Sequence, residues 1–119
     1  MYVYLNVNPK GKRTGDCVIR ATALALGVEW ECASDMLYEQ ARSCACEMSC
    51  LGCYSAMFEM LGFRKCNAAG QTVQEIADRH PDNTVLVRIK GHLTCAICGK
   101  VHDIWDCSDE IADCYWIAG

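Results

Sequence analysis

Cys17 stands one residue after Asp16 in "GDCVIRATALALG", Gly15 to Gly27, where an apolar run with helical spacing begins. A helix N-terminus presents unpaired N–H groups and a partial positive charge, and both stabilise a thiolate. Position makes Cys17 a candidate nucleophile, against the alternative that it packs inward with Val18 and Leu24 as a small hydrophobe. A nucleophilic thiol needs a base. Of the three histidines, His80 precedes Pro81 at a helix end, where a cation answers the helix dipole. His102 lies further along a late strand. His92 follows Gly91 at the start of a strand, and a His there can meet a Cys at a helix start across a cleft.

An acid must orient that imidazole, and hairpin register selects it. A three-residue loop, Cys98-Gly99-Lys100, sets Asp106 directly opposite His92 on one face. A two-residue loop, Gly99-Lys100, sets Cys107 there instead and turns Asp106 away. In the three-residue register the competitor Asp103 falls on the opposite face, about 10 Å along the strand. The glycine-centred loop makes Asp106 the expected acid.

The elements that must hold these residues read as helices first and strands later. "YVYLNVN" is a short edge strand ended by Asn8 and Pro9. Asp16 is placed to cap a first helix that Gly27 ends, with Cys17 at its first position. "EWECASDMLYEQAR" and "LGCYSAMFEMLG" carry apolar stripes at helical spacing. "QTVQEIADRHP" opens with a capping box of Thr72 and Glu75. From Asn83 onward the period is that of strands: "TVLVRIK", "HLTCAIC", "VHDIWD" and "CYWIA". The expectation is one α+β domain over residues 1–119, with its N-terminal helices packed on one face of a C-terminal antiparallel β-meander.

Composition narrows the functional classes. The chain has 119 residues, 52% hydrophobic and 22% charged, with a net charge of −4. An acidic balance argues against a phosphate-backbone partner, which needs clustered Lys and Arg. No stretch is long and apolar enough for a membrane span, and the N-terminus does not read as a secretory signal, so a cytoplasmic location is expected. Lys10, Lys12 and Arg13 form a short basic run before Cys17 that reads first as a solvated loop. Trp105 and Trp116 are candidates for a cleft wall or for core.

With those segments in view, "GDCVIRATALA", "GHLTCAI" and "HDIWDCSDE" resemble, in order and spacing, the Cys, His and Asp segments of papain-like cysteine peptidases. The resemblance is strongest to the compact bacteriocin-leader-processing type, and to short papain-like proteins encoded by phages and gut bacteria. It implies a papain-like fold, cleavage of a peptide or isopeptide bond in a peptide or protein substrate, Cys17 as nucleophile, His92 as base and acid, and Asp106 as the residue fixing the imidazole tautomer. It implies no cofactor. Such enzymes carry a glutamine about half a dozen residues before the cysteine for the oxyanion hole, and Gly11 stands there in this chain. Asn8, Thr14 or Asn6 would have to replace it beside the Cys17 N–H.

Eleven cysteines need a reading of their own. An odd count without an export signal points to thiols rather than a disulfide scaffold. Cys44, Cys46, Cys50 and Cys53 form C-x-C-x3-C-x2-C, enough thiolates for a structural zinc if the helix breaks near Ser49. Cys95 and Cys98, three apart on a strand, point to opposite faces and make a poor redox pair. Two classes stay open: a thiol hydrolase or acyl transferase acting through Cys17, and a binding module of the same fold, with or without zinc.

Overall fold

A computed structural model describes residues 1–11 and 15–118; Lys12, Arg13 and Thr14, part of the basic run and one oxyanion candidate, lie outside the described residues. The chain runs β1 (Tyr2–Tyr4), α1 (Cys17–Leu26), α2 (Trp30–Cys44), α3 (Leu51–Met60), β2 (Phe63–Asn67) and α4 (Val73–Arg79). It ends with β3 (Thr84–Ile89), β4 (His92–Ile97), β5 (Lys100–Asp103) and β6 (Cys114–Ala118). This is an α+β fold with four helices and one mixed six-stranded sheet. No described helix is long and apolar enough to cross a membrane.

Local signals act where expected at several helix ends. Gly27 adopts φ 66°, and the Val28 N–H reaches the Ala23 carbonyl at 3.1 Å, so α1 closes in a Schellman turn that favours glycine. Thr72 and Glu75 make both bonds of the capping box on α4. Asp16 behaves differently. It precedes α1 but makes no side-chain cap bond, because its carboxylate is turned to buried partners.

The sheet departs from a meander. Its order is β1-β5-β4-β3-β6-β2, with β1 parallel to β5 and the other pairs antiparallel. β6 returns to pair with β3 instead of β5, and β2, "FRKCN", lies outside it as an edge too polar to announce itself. The helices also do not share one face. Leu86, Leu93, Cys95 and Trp116 pack with α1, α2 and α3, whereas Val85, Val87, Ile89, Ala96 and Val101 pack with Val73, Ile76 and Ala77 of α4. A strand such as β3, apolar on both sides, requires a layer on each. The segment after β5 seals the α4 side: the Val73 and Gln74 N–H groups donate to the Glu110 and Ser108 carbonyls, each at 3.0 Å.

On the α1–α3 side the core centres on Trp116, Phe58 and Leu37, and the Trp116 indole N–H donates to Ser55 Oγ at 3.1 Å. Trp116 is therefore core and not cleft. Leu37 is 0% exposed, so Leu37→Ala is expected to destabilise the fold by about 2–5 kcal/mol through lost burial and a residual cavity. Urea unfolding checks this, and a loss below about 1 kcal/mol would mean that α2 is not packed as described.

Candidate active site

The β3–β4 hairpin turns through Lys90-Gly91, with Gly91 at φ 70° and Ile89 paired to His92. His92 thus opens β4 at the end of the sheet, where the N-terminus of α1 arrives. Cys17 is the first residue of α1 and is partly exposed. Its thiolate lies within hydrogen-bonding reach of the His92 imidazole and of the Leu93 backbone N–H. Burial alone would raise the Cys17 pKa, but these bonds and the charges of His92 and Arg20 outweigh it and hold the thiol below its ordinary value. The structure thus brings together the two residues expected from position.

The carboxylate bonded to His92 is Asp103 and not the expected Asp106. Ile97 pairs with Lys100, so the β4–β5 loop is the two residues Cys98-Gly99, at φ 50° and 79°. Two consecutive positive φ values are those of a type I′ turn, whose twist matches the flanking strands. This register pairs Cys95 with His102 and, one step on, sets Thr94 against Asp103. Asp103 then shares a face with His92, and its Oδ2 is 2.6 Å from His92 Nε2. Asp106 is exposed and accepts the Ser108 N–H at 3.1 Å. With Nε2 committed to Asp103, Nδ1 is the nitrogen left to face Cys17. Trp105 covers the ring, its centroid 5.2 Å from that of His92.

A buried charged chain stands behind this pair. Arg20 pairs with Asp16 at i, i+4 in α1, and its other terminal nitrogen is 3.9 Å from Asp103 Oδ1. Asp16 Oδ2 also accepts from Asn8 Nδ2 and Trp30 Nε1, both at 2.9 Å. Asp103 Oδ1 accepts the Ile104 N–H at 2.7 Å. For Asp16 and Asp103 burial pushes the pKa up; hydrogen bonds from Asn8 and Trp30 to the first, and from His92 to the second, reverse that and hold both below the usual carboxylate range. For His92, burial opposes the charged form, yet Asp103, Cys107 and Cys17 raise its pKa to about 11. Both shifts favour the thiolate–imidazolium form of the pair over the neutral one.

Asn8 is spent in this chain. Its Nδ2 donates to Asp16 while its Oδ1 accepts the Lys10 N–H at 2.9 Å, so it is not turned to an oxyanion at Cys17. Asn6 Oδ1 accepts the Asn8 N–H. The Cys17 cleft holds about 280 Å³ and is lined by Val18, Ser49, Tyr54, Arg88, Gly91 and His92 among others.

The four-cysteine motif has its helix break: Cys44 ends α2, Cys46 lies in the connection, Cys50 precedes α3 and Cys53 is in its first turn. Burial and the neighbouring Cys46, Cys44 and Cys50 push the Cys53 thiol up to about 12. The four thiols meet at the α2–α3 corner, with ligand atoms not all within 4.8 Å of one another. Among the described residues, the only group of three or more His, Cys, Asp or Glu ligand atoms within 4.8 Å of one another is His92, Asp103 and Cys107. Two ligands of one tetrahedral zinc stand roughly 3.3 Å apart, so the 2.6 Å His92–Asp103 separation is that of a shared proton.

Comparison of the chain with protein-family models, curated proteins and solved structures finds no match. The site therefore stands on its own geometry.

Sequence reasoning weighed Asp103 and Cys107 and set them aside for Asp106, and it did not single out Arg20, Trp30, Arg88 or Tyr54 as site residues. Arg20 carried a usable signal: it is the single charge inside "CVIRATALAL", four residues after Asp16. Arg20→Met leaves Asp16 buried without its counter-ion, takes the more distant of two cations from Asp103, and is expected to cost about 3–5 kcal/mol in urea unfolding. Linkage gives two limbs of opposite sign. Asp16 and Asp103 have lowered pKa values, so their contribution is present above about pH 4 and is lost as pH falls below it. His92 has a raised one, so its contribution is full below the unfolded value of about 6.5 and is lost as pH rises toward about 11. Urea midpoints against pH should fall on both sides of a plateau near about pH 5–6, and His92→Ala should flatten the alkaline limb.

Proposed function

We propose that the protein is a thiol hydrolase of papain type that cleaves a peptide or isopeptide bond. The observation that carries this reading is one imidazole held between a helix-terminal thiol and a buried carboxylate at the wall of an open cleft. Cys17 Sγ attacks the carbonyl carbon as a preformed thiolate, and the Cys17 N–H faces the developing oxyanion. The protonated His92 gives its Nδ1 proton to the leaving amine, which completes the acyl-enzyme. The neutral ring then takes a proton from water, whose oxygen attacks the thioester and releases the acid and Cys17. Asp103 keeps the ring oriented and stabilises its charge throughout. The same triad passes the acyl group to an amine if water is excluded.

The commitment of Asn8 to Asp16 favours a second reading, a binding module of the same layout in which Asn8 is no oxyanion donor. Reactivity separates the two. With limiting iodoacetamide at graded pH, mapped by mass spectrometry, Cys17 should label first among the eleven thiols, with a midpoint well below the ordinary value of about 8.5. His92→Ala should abolish the preference and Asp103→Asn should slow labelling near neutral pH by roughly tenfold, while Asp106→Asn leaves it unchanged. A Cys17 no faster than the others would sink the hydrolase reading and leave the binding module.

A further inference from the structure

Arg88 breaks the pattern of its strand. β3 is a central strand, and Arg88 follows Leu86 on the side facing α1, α2 and α3, between Leu93 of β4 and Cys114 of β6, all three of them core residues. A guanidinium there projects from the edge of an apolar core into the same cleft as Cys17. Such a charge loses hydration and needs compensation. Asp113 supplies part of it at 3.3 Å through Nη1, but that pair is solvated, with side chains 32% and 48% exposed, and holds the arginine weakly. Tyr54 stands beside it. Burial pushes its phenol up to about 12, against the pull of Arg88, so it stays protonated and able to donate at neutral pH. Asp113 and Tyr54 engage part of a five-donor fork whose shape suits a carboxylate.

An adjoining groove shares Val18 and Ser49 with the cleft and carries Glu47 and Met48, so a carboxylate lines it where Arg88 lines the cleft.

We propose that Arg88 and Tyr54 form a carboxylate-binding subsite beside Cys17, so that the substrate is a peptide carrying a carboxylate next to the bond attacked. This rests on the thiol-hydrolase reading of Cys17. The carboxylate comes from an acidic side chain or from a chain terminus, and small electrophiles tell them apart. The three probes are N-chloroacetyl-glutamine amide, which is neutral, N-chloroacetyl-glutamate α-amide, with a side-chain carboxylate, and N-chloroacetyl-glutamine free acid, with a terminal one. Each is reacted at fixed pH, and the alkylation rate at Cys17 is followed by mass spectrometry.

The expected result is that at least one anionic probe outruns the neutral probe by about tenfold, and the faster of the two identifies the source. Arg88→Gln should bring that ratio near one, Arg88→Lys should keep part of it, and Asp113→Asn, which leaves Arg88 in place without its counter-ion, should raise it. The Arg88-dependent change matters, because the His92 imidazolium attracts anions in every variant. If the neutral probe still selects Cys17 but the ratios are the same in wild type, Arg88→Gln and Asp113→Asn, the subsite is overturned while the thiol reading survives. If the neutral probe does not select Cys17 at all, both fall.

Discussion

A guanidinium 5% exposed, such as that of Arg20, can exist only where carboxylates meet it, and two do so from separate parts of the chain. Asp16 lies just before α1, and Asp103 ends β5 across the sheet. Holding both to one arginine fixes the start of α1 against the end of the sheet, and the rest of the site follows from that placement. Trp30 of α2 and Asn8 of the N-terminal segment add their donors to Asp16, so four stretches of chain converge on one charge. Without it Asp16 would be a buried anion next to Cys17 and would oppose the thiolate. With it, charges alternate in sign from Asp16 through Arg20, Asp103 and His92 to Cys17, and moving the thiol proton to His92 leaves the net charge unchanged.

Buried ion pairs are weak evidence for stability, since an apolar replacement of equal volume often does as well. The worth of this chain lies in position. Asp103 takes Nε2 of His92 and leaves Nδ1 for the thiol, a choice of tautomer and ring orientation that hydrophobic packing alone would not make. Trp105 limits the ring on its exposed side. Cys107, which begins the segment pinned by the first N–H groups of α4, also lies beside the ring. The arrangement is a preorganised one, in which little must move before a bond could be attacked.

Much of this was legible because it is local. The Thr72–Glu75 box, the glycine stop after Leu26 and the span of β6 are written in a few adjacent residues, and so is Cys17 at a helix start. What sequence did not resolve depends on one turn or on distant partners. Centring the hairpin on Gly99 selects Asp106; shifting it so that Cys98 and Gly99 occupy a type I′ turn selects Asp103, and the shift moves the hairpin's centre by half a residue. A glycine at the second position of a two-residue loop was the available cue. Asp16 has the composition of a cap and the role of a counter-ion, and only the position of Arg20 hints at the difference. The placement of β6 beside β3, and of α4 on the far face, comes from long-range pairing that periodicity does not encode.

Two thiols flank the same imidazole, and the physics assigns them different parts. Cys107 is 0% exposed, and its thiol donates to Asp103 Oδ2 at 3.7 Å, closed off from the cleft. Cys17 has the helix terminus, the Leu93 N–H and the charge of Arg20 on its side, and it opens on the cleft. One histidine thus meets a buried thiol that is tied to Asp103 and a second that opens on the cleft. The oxyanion side is less provided for, because Asn8 cannot both hold Asp16 and donate into the cleft. Keeping Asn8 on Asp16 secures the charge chain that favours the thiolate, and polar side chains also line the cleft at Ser49, Tyr54 and Arg88.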